Sequence, residues 1–226
     1  MSNTRVAIVV PTLDEEEALR RLLPQILGVA DELVVSDGGS RDGTVEVARE
    51  LGVPVVSGSP GRGTQLNRGA RETTAEALVF LHADTLLPPG AIEAVRGAVD
   101  AGRVGGGFMV RFDDPGPIYR FGTRMVALRT RLTRSPLGDQ AQFVTRDVFE
   151  QLGGFHDWPI LEDLDFIRRL KRLGELEIIP HQVVTSSRRY VEGGAVRTVI
   201  LNWLIWVLYF AGVSPRRLSR LYKSHR

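Results

Sequence analysis

The sequence predicts an α/β protein built on a mainly parallel sheet covered on both faces by helices. Two observations predict it. Four short apolar runs, Val6 to Val10, Leu33 to Val35, Val53 to Val56 and Leu78 to Leu81, have the uninterrupted β-branched and Leu-rich character of strands buried on both sides. Between them lie segments of helical period, such as Ala18, Leu19, Leu22, Leu23, Ile26 and Leu27, so strand and helix alternate as crossover units require. With 226 residues, 43% of them apolar, the chain can build one large core.

Each strand runs directly into polar or Gly-rich sequence. The first leads to Pro11-Thr12-Leu13-Asp14-Glu15-Glu16, the second to Ser36-Asp37-Gly38-Gly39-Ser40, the third to the stretch Ser57 to Asn67, the fourth to His82-Ala83-Asp84-Thr85. Ligands of parallel sheets bind beyond the carboxyl ends of the strands, so these loops carry the functional expectation. After Ala101 the pattern changes: Gly105 to Val110 reads as a strand, and the Arg-rich stretch Pro117 to Arg134 as a helix or a partly mobile element.

Charge narrows the function. Lys plus Arg number 29 against 27 Asp plus Glu, which gives no case for a nucleic-acid partner. The basic residues are nevertheless uneven, because Arg216 to Arg226 holds Arg216, Arg217, Arg220, Lys223, His225 and Arg226 and no acid. Zero cysteines exclude disulfides and thiolate metal sites. The N-terminus turns acidic after a run too short for a signal peptide, so a cytoplasmic location is expected.

No Walker-type lysine loop is present. A chain of this class that binds a nucleotide diphosphate then needs a divalent cation held by carboxylate oxygens. Asp84, where the chain leaves the fourth strand, is the first choice of ligand; its competing reading is a cap on a helix starting near Pro89. Asp37, among Gly38, Gly39 and Gly43, suits either a ligand contact or a Ser-Asp-Gly turn, while Ser40 and Asp42 read as turn and cap residues. Gly61 and Arg62 open a segment, Gly61 to Ala70, able to present a helix N-terminus to an anion. Glu162-Asp163 precedes the periodic run Leu164, Phe166, Ile167, Leu170 and Leu173; there a carboxylate either complements the helix dipole or takes a proton from a hydroxyl.

Taken in order, Val10 to Glu16, Asp37-Gly38-Gly39-Ser40-Arg41-Asp42-Gly43-Thr44, Gly61-Arg62-Gly63, His82-Ala83-Asp84, Gly153-Gly154-Phe155 and Glu162-Asp163 resemble the motif series of family 2 glycosyltransferases. The resemblance covers roughly residues 5 to 185. Within the family, the chain is most similar to the short bacterial radical-SAM/selenodomain-associated transferase 2 subgroup. It implies a GT-A fold, a Rossmann-like three-layer sandwich, and an inverting reaction in which Asp163, beside Glu162, deprotonates the acceptor hydroxyl. Pro11, Thr12, Asp14 and Glu15 would flank the nucleotide and Asp37 would meet the uracil or ribose. Asp84 would hold Mg²⁺ or Mn²⁺ against the diphosphate of a UDP-sugar donor, with Gly61, Arg62, His82 and Ala83 alongside. Gly138, Asp139 and Gln140 would lie near the acceptor and donor sugar. Two departures matter: the family's Asp-x-Asp begins here with His82, and Ser187-Arg188-Arg189-Tyr190 replaces the Gln-x-x-Arg-Trp motif of processive relatives, so polymerisation is not expected. Arg188 and Arg189 remain candidates for phosphate contact. A nucleotidyltransferase and a non-catalytic, membrane-associated nucleotide-sugar binder stay open as alternatives.

Residues 1–190 are expected to form the transferase domain and 191–226 a hydrophobic helix with a basic tail. Val199 to Val213 is apolar apart from Asn202 and Gly212, but about fifteen residues fall short of the ~20 that span a bilayer. Trp203, Trp206 and Tyr209 at near-helical spacing, followed by the basic tail, suit a helix lying in a membrane interface. Peripheral contact of residues 199–226 with the inner face of the plasma membrane, serving a lipid-linked acceptor, is therefore one reading. A core helix and a homodimer interface are the others.

Overall fold

The computed structural model describes residues 3–188 and 194–223, with the backbone alone at 195, 196, 222 and 223. Its first half follows the predicted alternation: β1 (Val6–Thr12), α1 (Glu16–Ile26), β2 (Glu32–Asp37), α2 (Thr44–Glu50), β3 (Val55–Ser57), α3 (Arg62–Arg71) and β4 (Ala77–Phe80). The third strand is shorter than expected and starts later, since Val53 is buried ahead of it while Pro54, which cannot donate to a ladder, immediately precedes it. β5 (Thr85–Leu86), α4 (Ala91–Asp100) and β6 (Gly105–Phe112) follow, then α5 (Pro117–Thr133), a 3₁₀ turn (Gly138–Gln140), β7 (Gln142–Thr145), α6 (Arg146–Gln151), α7 (Glu162–Leu170) and β8 (Leu176–Thr185). α8 (Ala195–Phe210) and α9 (Pro215–Lys223) close the chain.

The strands form one sheet in the order β3-β2-β1-β4-β7-β6-β8-β5. β1 to β4 pair in parallel, as the apolar runs predict. β7 then inserts antiparallel between β4 and β6, an arrangement the sequence pattern does not disclose. The register shift between β6 and β8 falls beside Pro180 and His181, where a proline's missing donor costs no ladder bond.

Two apolar layers hold the sheet. On one face, Leu19, Leu22, Leu23 and Ile26 of α1 and Ile92 and Val95 of α4 pack over Ile8, Val10 and Val79. On the other, Leu66 and Ala70 of α3 and Leu164, Phe166 and Ile167 of α7 cover Val9, Leu78 and Phe80. Gly69 brings α3 especially close: a Cβ there would stand 2.4 Å from Val9 Cγ1. Four rings, Phe80, Phe149, Phe155 and Phe166, interlock beneath α7, with Phe155 and Phe166 stacked at 4.1 Å. Aromatic pairs of this kind contribute about 0.5–1.5 kcal/mol each beyond burial. Gly153 and Gly154, both at positive φ, turn the chain out of α6 so that Phe155 can enter this cluster. The cluster thereby fixes the start of α7, which carries Glu162 and Asp163.

α8 is tied to this body by one side only. Ile205 is buried, and Trp206 and Tyr209 lie against the second apolar layer. No helix among the described residues is long and apolar enough to cross a membrane.

Candidate functional site

The carboxyl ends of β1, β2 and β4 lie side by side on one edge of the sheet, where a parallel sheet forms its ligand crevice. Thr12 and Asp37 face each other in the β1–β2 register, both buried. Asp37 accepts hydrogen bonds from the backbone N–H of Gly39 at 2.8 Å and of Ser40 at 3.1 Å, and from the Ser40 hydroxyl. Its carboxylate therefore shapes its own turn. Asp14, at φ 54°, accepts the Arg41 N–H at 2.7 Å, and its own N–H donates to Ser40 Oγ at 2.9 Å. Asp42 accepts from the N–H of Glu16 and of Thr44, capping α1 and α2 together. The loops after β1 and β2 are thus laced into one unit by acids that accept backbone N–H groups.

Gln65 of α3 reinforces the lacing from below. It is buried, and its Nε2 donates to Thr12 O at 2.7 Å and Ser36 O at 3.0 Å. Arg68 Nη2 donates to Asp37 O at 2.7 Å. Sequence reading passes over both, although a polar side chain on the apolar face of α3, beside Leu66 and Ala70, is the signal that marks Gln65. Gly61 and Arg62 do open a helix, with Gly61 at φ 141°.

The second group of acids is held differently. The Glu15 carboxyl is pushed above the usual carboxylate range, first by burial and then by the neighbouring Asp84 charge, against the opposing pull of Arg188 at 3.4 Å. Asp84 and Glu15 are thus close enough to feel each other, although 69 positions apart in the sequence. Asp84 is half-buried and does not cap α4, whose N-cap is Gly90. Its backbone carbonyl accepts the Ser186 N–H at 3.2 Å, because β5 pairs with β8 and draws the Ser186 to Arg188 segment to the crevice. Pro11, His82 and Asp84 are half-buried and Ala83 is buried. Arg189 lies outside the described residues.

The third wall is the N-terminus of α7. Asp163 accepts the Gly138 N–H at 2.8 Å on one oxygen and the Leu164 N–H at 2.7 Å on the other. A Cβ on Gly138 would lie 2.8 Å from His82 Nε2 and 3.2 Å from Asp163 Oδ2, so imidazole and carboxylate flank the same point of backbone. Glu162 is buried and pairs with Arg62 at 3.2 Å. Burial above all, with the Asp163 charge adding, raises its carboxyl above the ordinary range despite Arg62. Asp139 is half-buried in the 3₁₀ turn. Gln140 is turned inward: Nε2 donates to Phe108 O at 2.7 Å, and Oε1 accepts from Thr130 Oγ1 at 3.1 Å and Leu137 N at 3.1 Å. Its side chain organises the turn that presents Gly138.

A divalent cation fits the donor set of Asp84 and Glu15. A cation held by Asp84 would also offset the Asp84 charge that Glu15 senses. No group of three or more His, Cys, Asp or Glu capable of closing a metal site occurs among the described residues. Such a cation would depend on phosphate and water for its remaining ligands, as Mg²⁺ and Mn²⁺ at nucleotide sites do.

The chain is similar to known proteins in sequence and in fold. Over 96 residues, 37% of this chain, the sequence is 34% identical to glucosyl-3-phosphoglycerate synthase of Mycolicibacterium smegmatis, and 32% identical to that of Mycobacterium tuberculosis. These matches span about a third of each synthase: 32% and 30% of their lengths. The structure of the M. tuberculosis enzyme with Mn²⁺, UDP and glucosyl-3-phosphoglycerate superposes with a TM-score of 0.62 at 25% identity, covering 89% of this chain and 79% of that one. A mannosyltransferase from Pyrobaculum calidifontis, in complex with GDP-mannose and Mn²⁺, shares the fold at a TM-score of 0.61 and 23% identity, over 80% and 56% of the two chains. The fold expected from the motifs is therefore present, and the family model for glycosyl transferase family 2 matches residues 7–153. With the motif loops gathered on one edge of the sheet, the protein belongs to glycosyl transferase family 2.

Proposed function

We propose that this transferase moves a sugar from a UDP-sugar to an acceptor hydroxyl with inversion, using Asp163 as the base and a divalent cation at Asp84. The observation that carries the reading is the separation of two carboxylate environments. Glu15 senses the charge of Asp84 on the side of the β1 loop, while Asp163 is anchored by two backbone N–H groups at the start of α7, beside His82.

Pro11, Thr12 and the laced β1 and β2 loops form the floor for the nucleoside, and Asp37 lends that floor its shape or touches the base directly. When bound, Mg²⁺ or Mn²⁺ neutralises the diphosphate and stabilises charge on the departing UDP. Arg188 and Arg62 add positive charge around the phosphates. Asp163 accepts the proton of the acceptor hydroxyl as that oxygen bonds to the anomeric carbon, and the bond from that carbon to the β-phosphate oxygen breaks in the same displacement. The two N–H bonds to Asp163 hold it in place without reorganisation during the step. UDP in the mycobacterial enzyme's structure and the lack of a Gln-x-x-Arg-Trp motif support a single transfer from a uridine donor.

The test is isothermal titration with UDP, GDP and their glucose and mannose derivatives, with and without Mn²⁺, followed by UDP release assays with 3-phosphoglycerate and other small hydroxyl acceptors. Mn²⁺-dependent binding of UDP over GDP and acceptor-dependent UDP release are expected. Binding of neither nucleotide would remove the reading.

A further inference from the structure

α5 and α8 expose apolar side chains that the fold does not use. Along α5, Ile118, Phe121, Met125, Leu128 and Leu132 recur at intervals of three and four, the spacing of one helix face, yet this face points to solvent: Phe121 is 64% exposed and Leu132 76%. Along α8, Val199, Ile200, Trp203, Leu204, Val207 and Phe210 do the same, with Ile200 62% and Trp203 59% exposed. Among the described residues these two helices hold eleven of the seventeen exposed large apolar side chains, so the exposure is localised. The helices approach one another where Arg129 lies 5.5 Å over the Trp206 ring. Apolar faces exposed on two neighbouring helices mark a docking site.

The charge around it selects the occupant. Pro117–Thr133 contains Arg120, Arg124, Arg129 and Arg131 and no acid, and Ala195–Lys223 contains Arg197, Arg216, Arg217, Arg220 and Lys223 and no acid. Arg120, Arg124, Arg131, Arg197, Arg216, Arg217 and Arg220 are exposed. A second copy of this chain would bring a like-charged rim against each of these arginines. An anionic bilayer instead accepts the apolar side chains at the boundary between headgroups and acyl chains, and neutralises the rim.

We propose that α5 and α8 together form a peripheral docking surface for a bilayer carrying anionic phospholipid. The surface acts apart from the donor chemistry: none of its apolar residues lies in the crevice, and its test does not require turnover. The whole protein is floated with vesicles of phosphatidylcholine alone and with phosphatidylglycerol at 30%, a working choice of about one lipid in three, at low and high salt. Flotation with the anionic vesicles only, weakened by salt, is expected, with a blue shift of tryptophan emission that Trp203→Ser diminishes. The variants Phe121→Ser and Leu132→Ser, and separately Arg120→Glu with Arg124→Glu, lower the bound fraction about tenfold while Mn²⁺-dependent UDP binding is unchanged. Failure of the unmodified protein to float with anionic vesicles overturns the proposal. So does a stable dimer by light scattering that the Phe121 and Leu132 variants dissociate, because the surface would then be filled by a second copy.

Discussion

The acids around the crevice fall into two regions that give their carboxylates different neighbours. On the β1 and β2 rim, Asp14, Asp37 and Asp42 accept backbone N–H groups from neighbouring loops, and their oxygens are occupied before any ligand arrives. Elsewhere, Glu15 after β1 senses the charge of Asp84 after β4, and Asp163 at the start of α7 keeps a fixed position on two N–H groups beside His82. In the proposed reaction the rim builds the floor and the second region meets the reacting groups. A motif residue's chemical type does not tell these duties apart; the neighbours of its carboxylate do more, since Asp37 binds the N–H groups of its own turn whereas Asp163 binds the turn that carries Gly138.

Substitutions can break or sharpen this division. The largest effect is expected for Asp163→Asn, which should lower UDP-sugar turnover by about 10²–10⁴-fold with Mn²⁺-dependent UDP affinity retained. The amide also turns an NH₂ toward one backbone donor, so a melting curve must accompany the kinetics. Asp84→Ala should weaken UDP binding on the order of 10²-fold in Mn²⁺ and leave metal-free binding unchanged, as read by titration calorimetry. Gly138→Ala, whose Cβ would press on His82 and Asp163, should lower turnover roughly tenfold with donor affinity intact, since small misplacements at a reacting centre are costly. Asp37→Asn should show mainly in stability, a loss of about 4 °C in Tm from broken turn bonds, with a smaller change in UDP affinity than Asp84→Ala gives. A tenfold loss of affinity without loss of Tm would instead move Asp37 into the ligand-facing set.

The smallest effect concerns pH. Because the Glu162 carboxyl is raised in the folded protein, the fold holds that proton more tightly than the unfolded chain does. This contribution to stability is present below the ordinary value of 4.5 and is lost as pH rises through the folded value. Glu162→Gln should therefore gain Tm relative to the unmodified protein between pH 4.5 and neutrality, by about 2 °C.

The parallel half of the sheet was legible because buried strands and amphipathic helices have distinct periods, and the motif acids were legible because loops after such strands face the crevice. Other features depend on distance in sequence that no local pattern encodes. Arg188 meets Glu15 across 173 positions, and β7 takes its place between β4 and β6 only when the chain returns from α5. Gln140 is the instructive residue: the motif resemblance places it near the acceptor, and its side chain closes on Phe108, Thr130 and Leu137. The C-terminal hydrophobic helix, its basic tail and the Arg-rich stretch that forms α5 were readable, but the helix within that tail, α9, and the apolar faces that the core leaves uncovered follow only from the packed fold.

The pairing of β5 with β8 has one more consequence, for reach. It brings the chain to Arg188 at the crevice, and α8 starts at Ala195. A chain advances at most ~3.3–3.6 Å per residue, so the start of α8 lies within about 25 Å of Arg188. A bilayer docked on α8, which packs on the core through Ile205, Trp206 and Tyr209, would therefore lie within a fixed short reach of the crevice, and in the proposed reaction that reach would limit how far above the lipid surface an acceptor hydroxyl could sit.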